Sequence, residues 1–231
     1  MKIFGKGRHR HVAADISTRE GRRRAEQEEV FGDHGFLRAS FQNLHAIGPD
    51  MWRSNQPNAA QIADHVRLRG IRTIINCRGP STRGYYLLER EACELNNVEL
   101  IDFQVYSRDT PKVETVLAAR DLFENIKYPA LLHCKSGADR AGLMSVFYQI
   151  FQRYYPVSLA KRQLSKKYLH LREGKTGLLD AFFEAYLEHA ETSGLSFLDW
   201  LTQVYDRAAI KEKFLKTGVA QLSLDQLIRR E

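Results

Sequence analysis

Apolar residues recur along this chain at two spacings, and through its first part the spacing switches back and forth. Short runs of alternating or wholly apolar residues predict strands, whereas apolar positions three and four apart predict helices. Residues 44–47 and 51–53 read as two strands joined by turn-forming residues at Gly48-Pro49-Asp50. Asn58 predicts the cap of a helix through Arg69 that stops at Gly70, with residues 71–76 following as a buried strand. After Gly79, Pro80 and Gly84, the side chains of Tyr85, Leu88, Ala92 and Leu95 share one helical face, and residues 98–103 form the next strand. Pro111 opens a helix to about Lys127, and Pro129 precedes the short apolar run Ala130-Leu131-Leu132. Behind that run, Leu143, Val146, Phe147, Ile150 and Phe151 repeat at helical spacing.

Beyond Pro156 every pattern is helical, over residues 158–169, 178–190, 197–206, 208–214 and 222–228. Ahead of the first strand, residues 17–30 read as a short charged helix capped by Ser17, and residues 31–40 as irregular. Strands that alternate with helices predict an α/β fold, with a central, mostly parallel sheet flanked by helices and a helical C-terminal half. The chain divides into a basic N-terminal arm (1–40), a central domain (41–191) and a helical extension of that domain (192–231).

A length of 231 residues suffices for one such domain with a substantial core. Cys77, Cys93 and Cys134 are too few for a disulfide framework and predict a reducing compartment. No uninterrupted apolar run approaches the length of a membrane span, so a soluble, cytoplasmic protein is expected. The net charge of +7 is unevenly placed: Lys2, Lys6, Arg8, Arg10, Arg19, Arg22, Arg23 and Arg24 face only Asp15 and Glu20 within residues 1–24. The remainder is nearly neutral, which argues against a basic catalytic domain, and no nucleic acid partner is expected. A solvated arm is the simpler reading of residues 1–24. The alternative is peripheral contact with an anionic membrane, at about 1 kcal/mol per basic residue near the surface.

The chemistry concentrates in His133-Cys134-Lys135-Ser136-Gly137-Ala138-Asp139-Arg140-Ala141-Gly142. An apolar strand delivers Cys134 to a short loop, and a helix starts near Arg140. Such a loop can turn consecutive N–H groups inward, and the helix start adds partial positive charge, making a nest for a tetrahedral oxyanion. Helix N-termini and nearby cations also favour the thiolate, the nucleophilic form of cysteine. Arg140 offers a planar fork for two phosphate oxygens, which Lys135 as a point charge cannot copy. Gly137 supplies backbone freedom within the loop.

His133-Cys134-x5-Arg140, with Gly137 inside it, resembles the signature of the cysteine-dependent protein tyrosine and dual-specificity phosphatase superfamily, in its bacterial form. Arg53-Ser54-Asn55-Gln56-Pro57 is similar to a segment that opens the catalytic domain in bacterial members. The resemblance covers roughly residues 44–190 and makes residues 41–191 a phosphatase catalytic domain. It implies a phosphate monoester hydrolase that works through a phosphocysteine on Cys134, with neither metal nor cofactor. Lys135, Ser136, Gly137, Ala138 and Asp139 would contact the substrate phosphate.

The superfamily's general acid is an Asp upstream of the cysteine. Asp109, in the loop before the Pro111 helix, is the expected acid, and Asp102 is the second choice. His133 is expected to orient the loop through hydrogen bonds or to tune the thiolate, with a plain structural role as the alternative. Further roles implied by the resemblance are water placement by Lys175 or Thr176 and a resolving thiol at Cys77, for which a plain buried thiol is the simpler reading. Asp139 beside Arg140 is expected to turn outward, holding Arg140 or a backbone amide. Ala141 departs from the family, which usually has a hydroxyl there to stabilise the departing thiolate, and predicts slow turnover. The default substrate is a phosphoprotein. Lys135 resembles the lipid-phosphate branch, so a phosphoinositide or phosphatidylglycerophosphate-like phospholipid is the alternative. A phosphate-binding pseudophosphatase is the third reading.

Overall fold

In the computed structural model, which describes residues 15–216, the strand that ends in the cysteine is the middle one of a five-stranded sheet and is flanked on both sides by parallel neighbours. That strand, β5 (Ala130–Cys134), has all five residues buried. The other strands are β1 (His45–Gly48), β2 (Met51–Asn55), β3 (Thr73–Asn76) and β4 (Glu99–Asp102), and the sheet order is β1-β2-β5-β3-β4. Only the β1–β2 hairpin is antiparallel. The register sets Asn55 opposite Cys134 and Asn76 opposite His133, so three strand ends converge on the loop after β5. Ligands of open parallel sheets bind at such carboxyl ends.

Helices α3 (Ala59–Arg69), α4 (Gly84–Leu95), α5 (Val113–Asn125) and α6 (Asp139–Phe151) cover the sheet. The Asn58 side chain accepts from the Gln61 N–H in a capping box, and Gly70 ends α3 at φ 64°, as the sequence predicts. Two apolar clusters result: Ile62, Ile71, Ile74 and Leu131 lie on one face of the sheet, and the larger core of Leu132, Met144, Phe147 and Phe182 on the other.

The N-terminal region differs from the expected arm. The cap of α1 (Arg19–Gln27) is Thr18, which accepts from the Gly21 N–H, while the Ser17 hydroxyl is engaged by Asp15. Ala25 of α1 is fully buried against α4, where a Cβ on Gly84 would come within 2.5 Å of Ala25 Cα. Arg22 forms a two-pronged ion pair with Glu91. The end of the helix expected over residues 17–30 widens into a π turn (Glu28–Gly32), and the region expected to be irregular holds α2 (Gly35–Ser40). From Thr18 onward the segment is therefore a packed elaboration of the domain. Lys2, Lys6, Arg8 and Arg10 lie outside the described residues, as does the helix expected over residues 222–228.

A second difference follows β5 and α6. Residues 158–169 are not one helix but α7 (Val157–Ala160) and 3-10 turns at Lys161–Gln163 and Lys166–Tyr168. The Gln163 carbonyl accepts from Arg53 instead of continuing a helix. The C-terminal helices α8 (Leu178–Ser193) and α9 (Phe197–Gln203) dock on α6 through aromatic rings, and α10 (Arg207–Lys216) packs against α8. Phe182 is fully buried, with Phe183 at 4.8 Å and Tyr205 at 5.0 Å between ring centroids. Among the described residues no helix is long and apolar enough to cross a membrane. Phe182→Ala is expected to lower unfolding free energy by about 3–5 kcal/mol in urea titration, and a change below 1 kcal/mol would contradict this packing role.

Candidate active site

Cys134 ends β5 with 2% of its surface exposed, and four residues separate it from α6. Every carbonyl of that loop is engaged from outside. The Lys135 oxygen accepts from the Gln56 N–H at 3.4 Å, and the Ser136 oxygen from Asn43 Nδ2 at 3.0 Å. Arg53 Nη2 donates to the Gly137 oxygen at 2.7 Å and to the Ala138 oxygen at 2.9 Å. Because a trans peptide points its N–H opposite its C=O, these bonds turn the N–H groups of residues 136–139 toward the concave side. The first turn of α6 adds its own free N–H groups. Gly137 has φ 75°, and a Cβ there would lie 2.7 Å from the Asn55 nitrogen, so only glycine fits.

Arg53 is fully buried. Its other nitrogen, Nη1, donates to the Gln163 carbonyl at 2.8 Å and to Gln163 Oε1 at 3.0 Å, and its guanidinium lies 4.2 Å from the Tyr168 ring centroid. Burial lowers its pKa to about 10, with Cys134 and Tyr168 acting in the opposite direction, so it remains a cation at neutral pH.

The residues flanking the loop are held as tightly. His133 is fully buried with Nε2 2.6 Å from Glu89 Oε1, and Gln56 Nε2 donates to the other Glu89 oxygen at 2.8 Å. Lys135 reaches away to Asp33 at 3.3 Å, a carboxylate that also binds Arg78 and Arg38. Asp139 does turn aside, but its partner is neither Arg140 nor a backbone amide: its Oδ1 lies 2.7 Å from His170 Nδ1, and His170 Nε2 lies 2.7 Å from Asp180 Oδ2. Burial alone would lower the His170 pKa, but the two carboxylates outweigh it and raise the value to about 9.

Arg140 and Asp109 line one cleft of about 520 Å³, together with Gln104, Tyr106, Arg108 and Arg207. Asp109 pairs with Arg207 at 2.9 Å and Lys211 at 3.6 Å, both from α10. The same helix secures the loop of Asp109 through Arg207 Nε to the Thr110 carbonyl at 3.1 Å, and Tyr205 adds a bond to the Pro111 carbonyl at 2.7 Å. Asp102, the second choice for an acid, has both oxygens engaged, by Asn76 Nδ2 at 2.8 Å and by the Tyr86 hydroxyl. Lys175 and Thr176 do not line this cleft. The Thr176 hydroxyl donates to the Leu171 carbonyl of its own loop.

Cys77 follows β3, and its N–H donates to the His133 carbonyl at 2.8 Å, so the two strand-end cysteines sit on neighbouring strands. Burial and then the neighbouring Cys134 raise the pKa of the Cys77 thiol. Among the described residues no cluster of His, Cys, Asp or Glu is arranged to hold a metal ion.

No local pattern marks Asn43, His170, Asp180 or Arg207, whereas Arg53 opens the segment that resembles the bacterial members and, by alternation in Met51-Trp52-Arg53, falls on the same buried side as Met51.

A buried parallel strand ending in Cys134, a loop with outward carbonyls and a helix starting at Asp139 define the α/β phosphatase fold of the cysteine-dependent superfamily. The sequence model described as "DSP-PTPase phosphatase fused to NAD+ Kinase" matches residues 45–177, and the chain belongs to that family. No curated protein matches the chain. Among solved structures, TpbA of P. aeruginosa is similar at TM-score 0.51 and 20% identity, over 74% of this chain and 91% of its own. A DUF442 protein of Shewanella putrefaciens CN-32 gives TM-score 0.51 and 21% identity, over 64% of this chain and 95% of that one. Tk-PTP in its active form gives 0.50 and 17%, over 66% and 99%. At such identities the likeness concerns the fold.

The raised His170 pKa has a sign for stability. Its contribution is fully present below the unfolded value of about 6.5 and is lost as pH rises through about 9. Urea unfolding is expected to show a decline of a few kcal/mol between pH 7 and 10 that is absent in His170→Gln; identical profiles for the two proteins would contradict it.

Proposed function

We propose that this chain is a phosphate monoester hydrolase of the protein tyrosine or dual-specificity type that works through a phosphocysteine. The observation that carries the reading is the loop itself, whose four carbonyls are all bonded outward between Cys134 and Arg140. A phosphate seated in its concavity meets N–H donors on one side and the Arg140 fork on the other, with Cys134 Sγ beneath the phosphorus. The thiolate attacks phosphorus, the ester P–O bond breaks, and Asp109 gives its proton to the leaving oxygen. In the second step Asp109 takes a proton from water, water attacks phosphorus, and the S–P bond breaks to release inorganic phosphate. Residue 141 is a fully buried alanine, so no hydroxyl from this position assists thiolate departure, and the second step is the slower one.

One observation favours the lipid-phosphate reading as the second choice. The cleft beside Arg140 is lined by Arg108, Lys112 and Arg207 with Asp109 as its single carboxylate, a surplus of positive charge suited to a highly anionic head group. The basic stretch 1–24 would add attraction to an anionic membrane.

Cys134→Ser is expected to abolish hydrolysis of aryl phosphates, and Asp109→Asn to lower kcat by about 10²–10⁴-fold without preventing phosphorylation of Cys134. Wild-type rates in either variant would overturn the assignment of that residue. Parallel assays on phosphotyrosine peptides and phosphoinositide vesicles decide the substrate. Peptide turnover exceeding lipid turnover is expected, and the reverse would establish the second reading.

A further inference from the structure

A carboxylate beside the arginine meant to hold a phosphate works against binding, either by repelling the anion or by occupying the cation. Asp139 is such a carboxylate, yet Arg140 forms no ion pair among the described residues. The Asp139 charge is taken up on the other side. His170, 1% exposed, lies 2.7 Å from Asp139 through Nδ1 and 2.7 Å from Asp180 through Nε2. Donating to two carboxylates at once requires both ring nitrogens to carry protons, so His170 bridges them as an imidazolium.

The backbone is shaped to deliver this ring. Leu169, immediately before it, has φ 67°, a left-handed conformation disfavoured for a leucine, while 51% of that residue is exposed. The His170 N–H donates to the Ser165 carbonyl at 3.1 Å, which closes the turn beneath the ring. Asp180 stands in the first turn of α8 and is 3% exposed, so its charge has a buried partner in His170. Strain at an exposed leucine is thus coupled to the placement of a buried histidine.

We propose that His170 is a positioning residue for phosphate binding: by clamping Asp139 to Asp180 it keeps that carboxylate out of the loop's concavity and leaves Arg140 open to the oxyanion. The inference rests on the loop being the phosphate site. Its consequence is a defect in binding more than in chemistry, because His170 touches neither the substrate nor Cys134. Releasing Asp139 is what harms the site, so removing the Asp139 charge should repair the loss of His170.

The test uses the full chain, an aryl phosphate substrate and inorganic phosphate as a competitive inhibitor. His170→Gln is expected to raise KM and the phosphate Ki by about tenfold or more, with a smaller change in kcat. Adding Asp139→Asn to that variant should bring Ki back to within about threefold of wild type. An unchanged Ki in His170→Gln, or a double variant that binds phosphate no better than the single one, would overturn the clamp. If His170→Gln does not fold, Asp180→Asn removes one of the two bridges and must raise Ki in the same direction; an unchanged value there overturns the proposal equally. Failure of phosphate to compete in the wild type would instead remove the reading of the loop as a phosphate site.

Discussion

The fully buried guanidinium of Arg53, bonded to the carbonyls of Gly137 and Ala138, is the interaction on which the site depends. A charge taken out of water is tolerated only when it is well partnered, and here both Nη nitrogens are bonded, to loop carbonyls and to Gln163, while the guanidinium lies over the face of Tyr168. Each of those partners is fixed in turn. The carbonyls that Arg53 holds cannot rotate inward, and the N–H groups on the far side of the same peptides are presented to an anion before one arrives. Gly137 lets the loop pass within van der Waals distance of β2, and so within reach of the arginine that braces it.

This arrangement explains why the helical second half of the chain matters to a site built on the sheet. The segment from Gln163 to His170 supplies a carbonyl and an amide for Arg53, a ring for it to stack on, and the histidine for Asp139. Further along, α8 gives Asp180, and α10 gives Arg207 and Lys211 to the loop of Asp109. The Cys134–Arg140 loop and the loop of Asp109 are thus both tied to the helical second half of the chain. The aromatic contacts of Phe182 with Phe147 and Tyr205 keep those elements in place.

Local chemistry was legible from residues alone. The strand before Cys134, the helix after it, the Asn58 cap and the Gly70 stop all follow from short-range pattern, and they emerge within a residue or two of expectation. Long-range polar pairing has no period to read. Residues 158–169 look helical because their apolar spacing is helical, yet the Gln163 carbonyl is drawn to Arg53 from more than a hundred positions away. The N-terminal segment looks like a solvated arm because it is charged, yet Ala25 and Arg22 find partners on α4. Reasoning from order along the chain pointed to Lys175 and Thr176, but the loop consumes the Thr176 hydroxyl for its own closure.

The central claim, that this loop holds a phosphate for attack by Cys134, is tested most directly by rapid acid quench of the enzyme with a radiolabelled aryl phosphate, followed by peptide mapping. The account predicts that label accumulates on the peptide containing Cys134, because residue 141 contributes no hydroxyl to the second step, and that Cys134→Ser carries none. Hydrolysis that proceeds with no label on Cys134 in either the wild type or Asp109→Asn would contradict it.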